Sequence, residues 1–429
     1  MSRSNRLSQR AVRAFVLLVA AAGASRELPA ADPGYTATRS VAERADPTQD
    51  PRITTLMGQQ ALAARRIADA QIGNVHGRLL QLHGDDTAFC DRAEPAPARR
   101  SIAAESPDGP DPDATPSGPS PASAAPGSDI ALPSLPSAAP PVSLPVNACR
   151  RSSVATAWTA GALLVGASRA AVDGPTFGLH SGGVTLGVDH RLASNVVLGV
   201  GIGLARERAD AVGDGVWNGA EAQSAVVYLG YRPTPALFID ALAGDADLQM
   251  RSVRRIGEGA ASLAVERPGA QRFASLAAGY RLDVAGAELA PYTRLDVQET
   301  TLQAAAETDG GSDALQYQRQ NAPSLKLALG IEGASRIETR YGALSPRGRF
   351  EMRHEFERTG AASVAYADSA AGQGYAVDAT AAQRTGWSAG ISAALGLRDH
   401  WSVGAGYAVD RSGGGSVNRV DLTLTRPLR

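Results

Sequence analysis

The C-terminal two-thirds of the 429-residue chain alternates apolar residues with small or polar ones over many short segments. Residues 386–397 and 419–425 place apolar side chains at every second position, as in Val420, Leu422 and Leu424. This alternation predicts β-strands with one apolar face, because successive side chains of a strand point to opposite sides of the sheet. We therefore expect residues 152–429 to form an all-β domain.

The lengths of the connections indicate how these strands are arranged. The alternating segments begin near residues 155, 181, 195, 216, 235, 271, 287, 322, 336, 385, 400 and 418, which makes twelve strands. Tight connections such as Ala285-Gly286 alternate with long polar ones such as 303–314. An even strand number, with short turns at one end and long loops at the other, is typical of outer-membrane barrels. The pattern predicts a 12-stranded antiparallel transmembrane β-barrel.

A soluble antiparallel sandwich would also alternate, because it too buries one face of each sheet. The polar face of the predicted strands carries paired charges, and a membrane barrel would enclose such a face in a wet lumen. Only a closed sheet can pair all of its backbone groups in lipid. We favour the membrane barrel. The candidate lumen charges are Arg294, Asp296, Glu351, Arg353 and Glu355.

The N-terminus has the pattern of a cleavable signal peptide over residues 1–24. Arg3, Arg6, Arg10 and Arg13 precede an apolar run, residues 14–24, that is too short to cross a bilayer as a helix. The alternative is a buried helix of a cytosolic protein. We expect export through the inner membrane and a place in the bacterial outer membrane.

Three segments separate the signal peptide from the barrel. Residues 25–53 are irregular in pattern, and residues 54–83 have the three- and four-residue apolar spacing of an amphipathic helix. Residues 84–151 are rich in Pro, Ser and Ala, a composition that cannot bury enough apolar surface to offset the entropy of ordering. We expect a disordered linker there.

Several functional classes find no support in the sequence. The net charge of −1 argues against a nucleic-acid-binding protein. Lys326 is the only lysine and it follows a leucine, so the sequence contains no phosphate-binding Gly-Lys loop. The six histidines include no His-Glu-x-x-His arrangement. The glycines of Gly199–Gly203 lie in a strand pattern, where close approach to the lumen or to a neighbouring backbone explains them better than nucleotide binding. We expect no cofactor, no metal and no enzymatic activity.

Residues 152–429 resemble the translocator domain of autotransporters, in which a C-terminal barrel accompanies its own passenger across the outer membrane. The resemblance rests on several stretches in order: Trp158-Thr159-Ala160-Gly161, Gly182–Arg191, Asn195–Gly201, Pro291-Tyr292-Thr293-Arg294-Leu295, Leu327–Gly333, and Met352-Arg353-His354-Glu355-Phe356. In such proteins a pore helix runs straight into the first strand. Here a linker of some 70 residues separates helix 54–83 from Trp158.

The resemblance implies a translocator barrel that carries or anchors a short N-terminal passenger, with helix 54–83 in or near the lumen. It implies contact with outer-membrane lipid, periplasmic chaperones and the outer-membrane assembly machinery, and a monomeric barrel. The arginine–carboxylate pairs could cut the chain, as in some members of this family, but an electrostatic network is the better interpretation. The alternatives are a porin-like or structural barrel without secretion activity, and a secreted soluble β-protein with enzymatic activity.

The two cysteines, Cys90 and Cys149, flank most of the linker. Export would bring them into an oxidising compartment, where pairing is the rule. Two free thiols or a metal pair are the alternatives, although neither cysteine has a second Cys or His at ligand spacing.

We predict a Cys90–Cys149 disulfide that closes the linker into a loop. In the loop-closure picture the lost entropy raises the free energy of the unfolded chain by about 4 kcal/mol. The mass of the unreduced protein should not change on alkylation. Two added labels would contradict the pairing, and reduction before alkylation provides the positive control.

Overall fold

The computed structural model describes residues 46–83, 155–169, 176–211, 216–255, 262–308, 310–357, 361–369, 374–378, 384–397 and 400–428. The predicted signal peptide, the predicted linker and both cysteines lie outside these ranges. Within them the chain consists of one long helix and a large antiparallel sheet, with a smaller sheet built from loops.

The helix α1 comprises Pro51–His83 and is preceded by a single 3-10 turn, Pro47–Gln49. It begins earlier than the predicted Thr54, within the segment predicted to be irregular. The carboxylate of Asp50 accepts a hydrogen bond from the backbone N–H of Arg52 at 2.8 Å, as a helix cap does. Pro51 suits the first helical position, where no backbone N–H partner is needed. Local capping therefore extends the helix beyond the apolar pattern.

The large sheet contains twelve long strands that follow one another along the chain, and two short strands, Leu282–Val284 and Ile337–Thr339, that extend its hairpins. The long strands are β1 (Thr156–Arg169), β2 (Thr176–Ala193), β3 (Val196–Ala211), β4 (Trp217–Tyr231), β5 (Leu237–Arg255), β6 (Ser262–Tyr280), β7 (Ala287–Leu302), β8 (Gln320–Ala334), β9 (Gly342–Glu357), β10 (Thr385–Gly396), β11 (Ser402–Ser412) and β12 (Gly415–Pro427). Each pairs antiparallel with the next.

The sheet closes on itself. β12 pairs with β1 from Pro427 opposite Thr156 to Gly415 opposite Ser168. Every long strand therefore has a ladder partner on both sides, as lipid requires. The predicted 12-stranded antiparallel barrel is confirmed.

The two faces of the barrel differ as the alternation predicts. Leu163, Ile202 and Ile391 point outward, with 63%, 63% and 71% of their surface exposed. Side chains at the intervening positions, such as Thr185 and Asn218, are buried in the lumen. The wall is thus apolar outside and largely polar inside.

Some strands extend beyond the apolar pattern. β6 begins at Ser262, well before the predicted start near 271, and pairs with β5 over its whole length. Its early part carries polar residues on both faces, with Glu266 outside and Arg267 fully buried inside. Leu263 and Val265 share the inner face with Arg267 and are buried. The apolar residues of this stretch therefore face inward, and the stretch also pairs with β5.

The barrel has short turns at one end and long loops at the other. Ala285 and Gly286 turn the β6–β7 hairpin with φ of 52° and 80°, the left-handed pair of a type I′ turn. At the opposite end, the β7–β8 and β9–β10 loops form a four-stranded sheet, which we call the cap. Its strands lie in the order Tyr375–Asp378, Ala361–Tyr366, Leu315–Tyr317 and Ala305–Ala306.

Several lumen aromatics lie flat over a glycine of the neighbouring strand, where a Cβ atom would meet the ring. The pairs are Trp158 on Gly187, Tyr228 on Gly199, Phe273 on Gly244, Phe238 on Gly279 and Tyr292 on Gly330. Glycine is required at these positions by close approach rather than by backbone conformation. The first glycine of Gly199–Gly203 is thereby explained, since an added Cβ would overlap the Tyr228 ring.

We predict that Gly199→Ala destabilises the folded barrel by about 1–3 kcal/mol, because the new methyl group would displace the Tyr228 ring. The measurement is the temperature at which the heat-modifiable band shifts on a gel. Gly348→Ala is the matched control, since a Cβ at Gly348 meets nothing within 4 Å. Equal midpoints for the two variants would contradict the prediction.

Candidate functional site

The lumen contains helix α1, packed lengthwise against one wall. Its apolar residues Ile72, Val75 and Leu79 contact a cluster on β1 and β3–β6 that includes Trp158 and Tyr228. Further toward the long-loop end, Ala63 and Ile67 pack against β4, β5 and β7. Almost every residue on this side of the helix is buried, so apolar contact holds the helix against the first half of the barrel.

A buried ion pair joins the C-terminal part of the helix to β2. Arg78 donates to both carboxylate oxygens of Asp189, from Nε at 2.7 Å and from Nη2 at 3.0 Å. The Tyr228 hydroxyl donates to the same carboxylate at 3.1 Å, and Trp158 Nε1 donates to that hydroxyl at 2.5 Å. The contact between Arg78 and Asp189 is bidentate, so it fixes the rotation of the helix about its axis and its position along the lumen.

Other ion pairs repeat this arrangement along the helix. Arg66 Nε donates to the two oxygens of Glu207 on β3 at 3.0 and 2.9 Å. Lys326 Nζ on β8 donates to Asp69 at 2.6 Å. Buried pairs of this kind add little net stability, because desolvation offsets their attraction, but they penalise any other register. The helix therefore has one defined position in the lumen.

The last helical residue reaches the short-turn end of the barrel. His83 Nε2 lies 2.8 Å from Asp240 Oδ1 near the start of β5, and the imidazole packs on Phe238 with ring centroids 4.5 Å apart. Asn74, one turn before Arg78, donates to Thr185 at 2.9 Å. Polar contacts thus continue down to the end of α1.

At the long-loop end the cap covers the first turns of the helix. Ile53, Leu56 and Met57 lie in one apolar cluster with residues of β2, β3 and β6 and with Leu315 and Tyr317 of the cap. Behind this cluster, Arg254 bonds Glu307 at 2.6 and 2.7 Å, and the Tyr317 hydroxyl donates to Glu307 at 2.9 Å. Burial raises the pKa of the Tyr317 phenol, so it stays a protonated donor.

The structure brings three of the predicted lumen charges together. Arg294 donates to Glu351 at 2.9 Å and to Asp296 at 3.0 Å. Glu351 also accepts hydrogen bonds from Arg349 and, at 2.8 Å, from the Tyr292 hydroxyl. Arginine from two strands therefore balances both carboxylates.

Two other predicted residues lie elsewhere in the lumen. Arg353 donates to Asp410 on β11 at 2.6 Å instead of pairing with Glu351 or Glu355 on its own strand. Glu355 accepts a hydrogen bond from the Ser324 hydroxyl at 2.6 Å. Same-strand spacing was a poor guide for these two residues, because their hydrogen-bond partners lie on other strands, β11 and β8.

The pairs between helix and barrel were not predicted. Strand parity could have placed Glu207 in the lumen, since it shares the inward face of Gly199 and Gly203. No feature of the sequence matches it to Arg66 on the helix. Among the described residues no group of His, Cys, Asp or Glu could hold a metal ion, and no helix has the length and apolar composition for a bilayer crossing.

We predict that Arg78→Met loosens the helix, because the Asp189 carboxylate is left buried without its counter-charge, at a cost of about 3–5 kcal/mol. The measurement is the rate at which a protease cuts within residues 51–83 of the folded barrel in detergent. The double variant Arg78→Met with Asp189→Leu should recover part of the protection.

Arg206→Met serves as the matched control for this experiment. Arg206 pairs with Glu221 on the outer surface, where the two side chains are 78% and 62% exposed. An exposed pair contributes little, so this variant should be cut at the rate of the unaltered protein. Equal rates for the Arg78 and Arg206 variants would show that the buried pair does not hold the helix.

Comparison with known proteins agrees with this architecture. A family model for the autotransporter β-domain matches residues 158–408. The structure is similar to the translocator domain of autotransporter NalP from Neisseria meningitidis, with a TM-score of 0.54 and 12% identity over 64% of this chain and 88% of that one. It also matches the β-domain of the Bordetella autotransporter Brka, with a TM-score of 0.49 and 14% identity over 64% and 100%.

These identities are low enough that the structural likeness shows the fold alone. None of the curated proteins compared with this chain matches it. The family match, however, covers more than half of the sequence, and it begins at the opening strand and ends within β11. The chain belongs to the autotransporter β-domain family.

Proposed function

We propose that this protein is an outer-membrane translocator barrel whose own N-terminal segment crosses to the cell surface through the lumen now occupied by α1. The observation that most supports this proposal is the direction of helix α1 in the lumen. Pro51 lies at the long-loop end and His83 at the short-turn end. Outer-membrane barrels carry their long loops outside the cell and their short turns in the periplasm. The residues before Pro47 would then emerge at the cell surface.

The length of the helix supports the same proposal. Its 33 residues extend roughly 50 Å, more than the hydrocarbon core of a bilayer. The start of β1 lies at the short-turn end, as His83 does, since Thr156 pairs with Asp189 near the end of β2. The predicted linker over 84–151 therefore has no need to cross the lumen again.

The lumen chemistry fits passage of a polypeptide. Arginine, carboxylate, hydroxyl and amide side chains on the inner wall can hydrogen-bond an extended chain, which would have no partners in lipid. We infer that the cluster of Arg294, Asp296 and Glu351 acts through charge alone. Each carboxylate in it already has an arginine partner, so we assign no catalytic step to the barrel.

The route to the membrane follows from the same proposal. The basic and apolar pattern of residues 1–24 supports export as a signal peptide. Periplasmic chaperones and the barrel assembly machinery would then insert a monomeric barrel into outer-membrane lipid. The segment before α1 would be a short passenger, carried out or anchored by the helix.

The test is surface exposure of an epitope inserted after Ala31 in intact cells. We expect protease added outside to remove the epitope, because the chain leaves the lumen at the long-loop end. An epitope inserted in the β2–β3 turn after Ser194 is the matched control and should stay protected until the outer membrane is opened.

Protection of the Ala31 epitope in intact cells would overturn the secretion role and favour a porin-like or structural barrel. Recovery of the protein from the periplasm without detergent would overturn the membrane assignment as well. Heat-modifiable mobility of outer-membrane extracts separates these two outcomes, because only a folded barrel shows it.

A further inference from the structure

A depression of about 1050 Å³ lies on the outer wall of the barrel, across strands β1–β6. Two rows of outward-facing residues line it, and within each row every residue is the ladder partner of the next. The first row is Ala157, Val188, Val200, Val227 and Ala243. The second row, one outward position closer to the long loops, is Leu186, Ile202, Ala225, Asp245 and Arg272. We call this depression the outer groove.

The floor of the outer groove is backed by the packed interior of the barrel. Gly187 and Gly244 form part of the floor, and Ala225 lies exposed above it. On the lumen side, the rings of Trp158 and Phe273 lie against these two glycines, where a Cβ atom would overlap them. Both rings belong to the apolar cluster that holds α1. The groove is therefore preformed, which lowers the entropy cost of binding a ligand there.

The outer groove rises along the membrane normal as it crosses the strands. Six strands about 4.8 Å apart give it a length of roughly 24 Å. Its first row begins at Ala157, the second residue of β1, at the short-turn end of that strand. The row reaches Ala243 at the seventh residue of β5, a strand that also begins at the short-turn end. Strand tilt thus carries the groove toward the long loops.

The charged end of the groove lies near the outer edge of the bilayer. Arg272 is eight residues from Tyr280, at the short-turn end of β6. Eight residues of a strand tilted by about 40° rise roughly 20 Å, and the apolar band of such barrels is about 25 Å tall. The apolar rows therefore lie in hydrocarbon, and Arg272 lies close to the headgroups on the long-loop side.

Two exposed arginines lie at this height. Arg272 Nε is 3.3 Å from Asp245 Oδ1, with the side chains 68% and 78% exposed, and Glu299 lies opposite Arg272 on β7. Arg206 on β3 is paired with Glu221 at 2.8 Å and is equally exposed to the surroundings of the barrel. Exposed pairs are weak, so each guanidinium can exchange its carboxylate for a phosphate, which arginine binds in bidentate geometry.

We infer that the outer groove binds a phosphorylated, acylated glycolipid of the outer leaflet. Its acyl chains lie along the two apolar rows, and its phosphates contact Arg272 and Arg206. The long-loop side faces the outer leaflet, whose main lipid is such a glycolipid. This site goes beyond translocation, and it rests on the outward direction of the long loops rather than on the passage of any segment through the lumen.

The experiment is native mass spectrometry of the full-length protein in detergent with purified lipid A that carries two phosphates. We expect one lipid A molecule to be retained per barrel. Arg206→Gln with Arg272→Gln should raise the dissociation constant about tenfold or more, because charge-assisted contacts to phosphate are strong. Asp245→Asn should lower the dissociation constant, since it removes a carboxylate that competes with the phosphate.

Arg251→Gln is the matched control for the loss of charge. Arg251 is an exposed arginine paired with Glu266 at 3.7 Å, and it lies six residues beyond Asp245 toward the long loops. Its distance from the bilayer places it above the groove, so this variant should bind lipid A like the unaltered protein.

A second pair of variants tests the apolar part of the groove. Ala225→Trp would place an indole ring between the two rows and should raise the dissociation constant of lipid A roughly tenfold by excluding an acyl chain. Ala389→Trp is the matched control, because Ala389 lies on the outer face of β10 between the exposed Trp387 and Ile391. Heat-modifiable mobility checks that both variants are folded.

Three results would overturn the inference: no retained lipid A, equal affinities for Ala225→Trp and Ala389→Trp, or equal affinities for the double arginine variant and Arg251→Gln. Phosphatidylglycerol bound as tightly as lipid A would overturn the assignment to a glycolipid. The measurement is made in detergent, so none of these results depends on whether the Ala31 epitope reaches the cell surface.

Discussion

The pairing of β12 with β1 is the contact on which the whole molecule depends. A strand at an open edge would leave a row of unpaired N–H and C=O groups, each of which costs several kcal/mol in hydrocarbon. Closure removes both edges at once. It also creates an enclosed lumen, and everything else in the structure concerns how that lumen is filled.

The lumen is filled unevenly, because its inner wall changes character along the chain. Strands β1 and β3–β6 present large apolar and aromatic groups such as Tyr228 and Phe273, while β10 and β11 present Ser, Gly and Ala. A helix placed inside such a tube gains most by burying its apolar side against the first half. The ion pairs from Arg66 and Arg78 then select a single rotation and height. The ion pairs thus set the position of the helix, and the apolar contacts hold it against the wall.

The cap adds a second constraint at the long-loop end. Its strands Leu315–Tyr317 and Ala361–Tyr366 bury the first turns of α1, and the buried Arg254–Glu307 pair ties the β7–β8 loop to β5. The turn Pro47–Gln49, which precedes the helix, also contacts the cap strands Ala361–Tyr366 and Tyr375–Asp378.

Much of this architecture was already present in the sequence. The even number of alternating segments and the lengths of their connections predicted the barrel. The alternation of Val420, Leu422 and Leu424 with polar neighbours predicted a strand, because strand periodicity is a local property. The apolar spacing of residues 54–83 predicted the helix for the same reason. The early part of β6 was missed, because its apolar residues Leu263 and Val265 face inward and the buried Arg267 follows them.

The sequence by itself determined the fold class, the inward or outward direction of most strand residues, and the presence of a helix before the barrel. Only the tertiary structure decided which charges meet: Arg78 with Asp189, Asp69 with Lys326, and Arg353 with Asp410. Such partners lie up to 257 positions apart. Their contact depends on barrel closure and on the side of the lumen that the helix occupies, and no local pattern of residues encodes either one.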